Sequence, residues 1–245
     1  MSTLNLRWAY LVTTWNGMKL VETIHSIPKG SRLLVVDNSQ RGWALSAAWN
    51  YGIARLLDEG FDAVVVMNDD VVLRPDSGEN LVRSLFAADV EPCARHLGAG
   101  PRPEGLPQEP LLVTARHANH GDMFTEEVNA SRLAAAVPAW QPGPDFSCFC
   151  VGRKLFEVVG RFDERFNPCY FEDNDMHRRI QLAGYEGYAV TPYWHFRSVT
   201  RRSDGERRAV IDGGKFAECV KYYLAKWGGM PGKETFTTPF EGRAA

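Results

Sequence analysis

The sequence has no long apolar run. Its most hydrophobic stretch, Phe61 to Met67, is far shorter than the roughly 20 residues a helix needs to cross a bilayer, so no integral membrane segment is expected. Met1 to Tyr10 lacks a basic segment followed by an apolar core and a small-residue cleavage site. No secretory signal is therefore read, and the expected compartment is cytoplasmic. Cysteine is sparse and odd in number: Cys93, Cys148, Cys150, Cys169 and Cys219, with no CxxC pair. That fits reduced thiols better than a disulfide scaffold or a regularly spaced zinc site. Cys148 and Cys150 are expected on one face of a strand as buried apolar thiols. Asn129-Ala130-Ser131 is then a chance sequon. Charge of one sign is missing too: 28 Lys and Arg against 30 Asp and Glu leave a net charge of −2. No global field draws the chain to a nucleic acid or an anionic bilayer, and any polyanion site must be local.

Several catalytic signatures are also missing. The sequence has no GxxxxGK[ST] loop and no GxSxG elbow. Gly98-Ala99-Gly100 stands among prolines and not at a strand-to-helix turn, which excludes dinucleotide binding by that route.

What is present is an ordinary globular chain of 245 residues, 44% hydrophobic and 24% charged, enough to bury a full core. Leu6 to Thr13 reads as a buried strand, Gly17 to Ile27 as a helix with Leu20, Val21, Ile24 and Ile27 on one face, and Arg32 to Asp37 as a second strand. Leu45, Trp49, Ile53 and Leu56 mark the next helix, and Phe61 to Met67 the strongest strand. This β-α-β-α-β order predicts an α/β fold with a mostly parallel central sheet and helices on both faces. Asp76-Ser77-Gly78-Glu79 opens a helix toward Ala88, after which prolines and glycines interrupt the pattern. Leu111 to Ala115 and Phe146 to Val151 are later strands. Arg153 to Val159, Asn174 to Ala183 and a segment through Phe216, Val220, Leu224 and Trp227 are later helices. A single domain over 1–245 is expected, with a nucleotide-binding half over about 1–90, an irregular region over about 91–145 and an acceptor or catalytic half over about 146–245.

In an open parallel sheet, ligands bind beyond the carboxyl ends of the strands. Those ends carry Thr13-Thr14-Trp15-Asn16, Asp37-Asn38-Ser39 and Asn68-Asp69-Asp70. Adjacent acids at a strand mouth are costly unless a cation or hydrogen-bond donors offset their repulsion, and oxygen ligands favour Mg²⁺ or Mn²⁺. A turn that merely caps the following helix is the competing reading. Glu172-Asp173-Asn174-Asp175 is a second acidic group, richer than a helix cap requires, and a carboxylate fixed there would serve as general base. His195, beyond a strand at Gly187 to Thr191, is balanced between metal ligand and packed structural residue. Arg197, Arg201 and Arg202, with Arg207 and Arg208, form a dense basic patch. It is either a solvated face or a loop whose guanidinium forks close over a diphosphate.

Taken in order, these residues resemble the inverting glycosyltransferases of family 2, which have the GT-A fold. The matching fragments are Val12-Thr13-Thr14-Trp15-Asn16, Val35-Val36-Asp37-Asn38-Ser39, Ala48-Trp49-Asn50-Tyr51-Gly52-Ile53 and Met67-Asn68-Asp69-Asp70. Val159 to Phe166, Tyr170 to Asp175, Arg178, Ala183-Gly184-Tyr185 and His195 follow, so that the likeness runs from about residue 8 to 200. The resemblance implies a nucleotide-sugar donor, UDP- or dTDP-linked, a Mn²⁺ or Mg²⁺ ion, and single displacement with inversion. Thr13, Trp15 and Asp37 then look like contacts to base and ribose, Asp70 and His195 like metal ligands, and Asp69 like a contact to ribose or donor sugar. Asp173 resembles the catalytic base, with Glu172 and Asp175 orienting it or the acceptor. Arg197, Arg201 and Arg202 fall on the diphosphate. Asn68 departs from the usual first Asp and leaves open which oxygens touch the metal, while Pro92 to Pro144 matches no family pattern. The acceptor hydroxyl is left open among glycan, lipid-linked, protein and modified-nucleobase carriers. Two other functions compete. One is a sugar-nucleotide nucleotidyltransferase, whose Gly-rich N-terminal signature is absent here; the other is a non-catalytic nucleotide-sugar or glycan-binding module.

Overall fold

A computed structural model describes residues 6–15, 17, 20–86, 110–117, 141–142, 146–195 and 214–242. The N-terminal half follows the expected alternation: β1 (Trp8–Thr14), α1 (Leu20–His25), β2 (Leu33–Asp37), α2 (Leu45–Asp58) and β3 (Ala63–Asn68). Then come β4 (Val71–Leu73), α3 (Ser77–Phe86), β5 (Leu112–His117), β6 (Gln141–Pro142), β7 (Cys148–Gly152), α4 (Arg153–Val158), α5 (Glu172–Leu182), β8 (Tyr188–His195) and α6 (Phe216–Trp227).

One 8-stranded sheet runs in the order β2-β1-β3-β7-β5-β8-β4, with β6 paired to β8. Its neighbours are mixed: β1 pairs parallel with β2 and β3, and β5 with β8, whereas β7 lies antiparallel between β3 and β5, and β4 and β6 are antiparallel to β8. Because β7 reverses direction twice, between β3 and β5, the strands β1, β2, β3, β5 and β8 still point the same way. The expected parallel bias thus holds for strand direction, while the antiparallel insertions make the sheet mixed. All five of those strands end at one edge, the carboxyl edge.

The strands read as apolar because both faces are covered. Tyr10, Val12, Val65, Met67, Val113, Cys148 and Cys150 pack on one side against Leu81, Val82 and Leu85 of α3. Leu11, Val64, Val66, Phe149 and Val151 pack on the other against Trp49, Ile53 and Leu56 of α2, Leu155 of α4, and Met176 and Ile180 of α5. Cys148 and Cys150 are free, fully buried thiols within the first of these layers, as expected. Cys93 and the Asn129 sequon lie outside the described residues.

A third, smaller core docks α6: Cys219, Tyr223 and Trp227 close on Phe166 and Phe171. The helix ends at Gly228, whose φ of 72° is the left-handed conformation that glycine adopts without strain. Beneath this helix lies a buried charge network. Lys226 Nζ is 2.7 Å from Asp163 Oδ2 and 2.6 Å from Asp175 Oδ1. Arg179 pairs with Asp175 at 2.9 Å, and the Trp227 indole N–H donates to Asp175 Oδ1 at 2.9 Å. Burial alone would raise the pKa of Asp163, but the Lys226 ammonium and the Tyr222 hydroxyl more than offset it and hold the carboxyl well below its usual range. Among the described residues, no helix is long and apolar enough to cross a membrane.

Candidate functional site at the carboxyl edge

The ends of β1, β2 and β3 are locked side by side. The register sets Thr13 beside Asn68 and Thr14 beside Asp37. The Thr14 hydroxyl donates to Asp69 Oδ2 at 2.5 Å and accepts from the Gly17 N–H at 2.9 Å, while the Trp15 N–H points at the same Asp69 oxygen from 3.4 Å. Asp69 therefore braces the turn after β1 and presents Trp15, which is 36% exposed, at the sheet edge. Thr14, absent from the sequence-derived site, makes that latch. The only signal for it was a second hydroxyl beside Thr13.

After β2, Asn38 ties down the next loop: its amide donates to the Trp43 carbonyl at 2.8 Å and accepts from the Trp43 N–H at 3.2 Å. Asp37 stays exposed. The Ser39 hydroxyl and N–H, followed by the charge of Arg41, lower its pKa.

Asp70 is buried, in the turn between β3 and β4. The short strand β4, not anticipated from sequence, pairs antiparallel with β8 and sets Val71 opposite His195. The strand runs past its expected end at Thr191 to His195, which is thereby its last residue, one register step from Asp70. Of His195 only the backbone is described. Asn68 Oδ1 and Thr13 Oγ1 are buried without a hydrogen-bond partner among the described residues. Asn68 Oδ1, an orphaned amide oxygen two residues before the buried Asp70, is a hard oxygen of the kind a divalent cation takes as ligand. Among the described residues, no group of three or more His, Cys, Asp and Glu side chains gathers around one point.

The second acidic group opens α5, with Glu172, Asp173 and Asp175 all in its first turn. Tyr170 and Phe171 enter it with φ of 81° and 71°, a left-handed pair that side chains rarely tolerate. Aromatic contacts hold that turn: the Tyr170 and Phe171 rings lie 5.3 and 5.7 Å from Phe216, and Phe171 lies 5.2 Å from Tyr223. The three acids differ sharply in surroundings. Asp175 is fully buried in the Lys226 network. Glu172 is 5% exposed, and its Oε2 has no hydrogen-bond partner among the described residues. Burial, and then the charge of Asp173, push its pKa well above the usual carboxylate range. Asp173 is the half-buried member, and its Oδ1 accepts from the Asn174 N–H at 2.7 Å.

A cavity of about 440 Å³ opens between Trp15, the Asn167-Pro168 segment and α6. The loop after β2 is tied to the same wall, because the Leu45 N–H donates to the Pro168 carbonyl at 2.8 Å. Thr13, Trp15, Asp37, Asn68, Asp69, Asp70 and the end of β8 thus meet at the carboxyl edge, and Trp15 reaches the wall that leads to Glu172 and Asp173. Arg197, Arg201 and Arg202 lie outside the described residues.

Other motif residues prove to be packing devices. Asn50 exchanges hydrogen bonds with the Phe162 backbone at 2.9 and 3.0 Å, tying α2 to the Phe162-Asp163 loop. A Cβ on Gly52 would overlap the Leu11 side chain, so this glycine lets α2 lie flat on β1.

No protein-family model matches the chain, and no curated protein matches it. Solved structures that are similar at low identity include a mutant of Drosophila β-1,4-galactosyltransferase 7 in complex with manganese, UDP-Gal and xylobiose. That match has 12% identity and a TM-score of 0.44, and covers 82% of this chain and 76% of that one. A second is GalNAc-T7 with UDP, GalNAc and Mn²⁺, with 13% identity, a TM-score of 0.46 and coverage of 91% of this chain and 51% of that one. A third is A197 from STIV, with 10% identity, a TM-score of 0.41 and coverage of 77% and 83%.

Proposed function

We propose that the chain is an inverting, metal-dependent glycosyltransferase of GT-A type that moves a sugar from a nucleotide-sugar donor to an acceptor hydroxyl. The observation that carries this reading is the meeting at one edge of the Asn68-Asp69-Asp70 turn, the latch to Thr14 and Trp15, and the register partner of His195. Trp15 offers an exposed aromatic face for a base, and Thr13, Asp37, Asn68 and Asp69 supply polar groups for base, ribose and sugar. Asp70 and His195 would hold the divalent ion, Mn²⁺ or Mg²⁺, with Asn68 Oδ1 beside them. Such an ion, when bound, neutralises charge on a diphosphate leaving group. Arg197, Arg201 and Arg202 are assigned the same diphosphate.

In the transfer, the acceptor oxygen bonds to the anomeric carbon as the bond from that carbon to the diphosphate oxygen breaks. The electron pair leaves on the diphosphate, and the acceptor proton passes to the Asp173 carboxylate. A single displacement of this kind inverts the anomeric centre. Glu172, raised in pKa by burial and then by the charge of Asp173, holds its proton to higher pH than a free glutamate, which lessens the charge beside the base. Asp175 is a positioning residue that fixes α5 through Lys226, Arg179 and Trp227.

The test is calorimetric titration of UDP- and dTDP-sugars with and without Mn²⁺, followed by product analysis of donor hydrolysis, which needs no acceptor. Release of free sugar and nucleoside diphosphate supports the proposal. Pyrophosphate release would point to a nucleotidyltransferase, and binding without turnover to a binding module.

A further inference from the structure

We propose that Thr14 is the positioning residue of the nucleotide platform: its hydroxyl, acting through Asp69, fixes the Trp15 indole on which the donor base stacks, a role that rests on the nucleotide-sugar reading above.

Three strand ends are tied together at this one residue. The Thr14 carbonyl accepts the Asn38 N–H, at the end of β2, at 2.8 Å. Its hydroxyl donates to Asp69 Oδ2, just past β3, at 2.5 Å and accepts the Gly17 N–H, on the way into α1, at 2.9 Å. A threonine hydroxyl has a single proton to give, and here it goes to a carboxylate, the acceptor that makes the stronger bond. Thr14 is buried, so water competes poorly for these contacts. Thr13 lies on the other face of β1, and its hydroxyl has no hydrogen-bond partner among the described residues.

Trp15 depends on that hub for its orientation. Among the described residues, no aromatic pair or cation stack involves its ring, whereas Trp43, in the loop after β2, is held edge-on by Tyr51 at 5.5 Å and covered by Arg41 at 4.6 Å. Trp15 is held at its backbone instead. Its N–H reaches Asp69 Oδ2 from 3.4 Å, a long bond that lasts only while the carboxylate is turned toward it. The short bond from Thr14 to the same oxygen keeps it so turned. A valine at position 14 preserves the shape and removes the proton donor. The carboxylate then loses a short tie, and the half-exposed indole loses its set angle.

Calorimetric titration of UDP and dTDP with Mn²⁺ on the full chain tests the assignment in the parent, Thr14→Val, Thr14→Ser, Trp15→Ala and the double variant T14V/W15A. A cooperative thermal melt in each variant controls for folding. The parent is expected to bind one of the two diphosphates. T14V weakens that binding by roughly three- to tenfold, a part of what base stacking contributes, while T14S stays within about twofold of the parent. In the W15A background T14V weakens binding no further, because the ring through which Thr14 acts is gone. In donor hydrolysis the T14V loss falls on KM and not on kcat, as befits binding shared by ground and transition states. The proposal is overturned if T14V binds like the parent, if T14S falls with it, if T14V still weakens binding in the W15A chain, or if hydrolysis is lost in kcat alone. Binding of neither diphosphate overturns it together with the glycosyltransferase reading. Binding that follows the Thr14 hydroxyl, in a chain that hydrolyses no donor, leaves the platform standing and counts against transfer.

Discussion

Asp173 and Glu172 are chain neighbours in very different surroundings: one half-buried with an oxygen on the Asn174 N–H, the other enclosed with an oxygen unmatched among the described residues. Assigning proton transfer to the first gives a direct expectation. Asp173→Asn should lower transfer by about 10²–10⁴ while leaving donor affinity near the parent value, as read by single-turnover assays beside calorimetry. The sequence carries the acids themselves, because Asn-Asp-Asp after an apolar strand and Glu-Asp-Asn-Asp before a helix are unusual concentrations of charge. It does not carry their division of labour. Asp175 is drawn into a network by Lys226, a residue 51 positions away that reads locally as one more exposed lysine on a helix. Thr14 likewise differs from Thr13 only through its partner, Asp69, across the strand ends.

At the scale of elements, α6 is held by one cation shared between the buried Asp175 and the partly buried Asp163. Removing that cation leaves Asp175 with Arg179 and the Trp227 indole and Asp163 with Arg165 and the Tyr222 hydroxyl, so Lys226→Met should cost about 1.5–3 kcal/mol in urea unfolding, the loss of hydrogen bonds to charged groups. Gly52 sets the distance between α2 and β1. Gly52→Ala should cost about 1–3 kcal/mol by the same measurement, since the added methyl meets Leu11 in a filled core. Long amphipathic or wholly apolar elements were legible, as α2, β3 and α6 illustrate: their burial is written in consecutive residues. The strand β4 was not, because three residues carry no period and pair only when β8 arrives from more than a hundred positions away. The same pairing carries β8 on through Pro192 to His195, past a proline that reads locally as the end of a strand.

For the whole molecule, acidity acts in two directions. The folded pKa of Glu172 is raised, so its contribution to stability is full below the ordinary glutamate value of 4.5 and is lost as pH rises through the folded value. Asp163 is lowered, and its contribution is in place above the ordinary value of 3.8 and lost as pH falls through the folded one. Glu172→Gln should therefore match the parent near pH 4 and become progressively more stable than it toward alkaline pH, in denaturant midpoints followed across that interval. The β-α-β-α-β rhythm made the α/β class and the ligand-bearing edge readable. The reversal at β7 was hidden, because strand direction depends on connections through residues whose composition has no regular period.

The opposite rim of the sheet has a practical use. Gly152 pairs there with Ala63, and Lys154, on the first turn of α4, is solvent-facing. Among the described native thiols, three are enclosed and Cys169 alone is partly open. A Lys154→Cys handle would anchor the protein to a solid support with every molecule oriented alike, leaving the Trp15 rim facing the bulk liquid for immobilised flow assays.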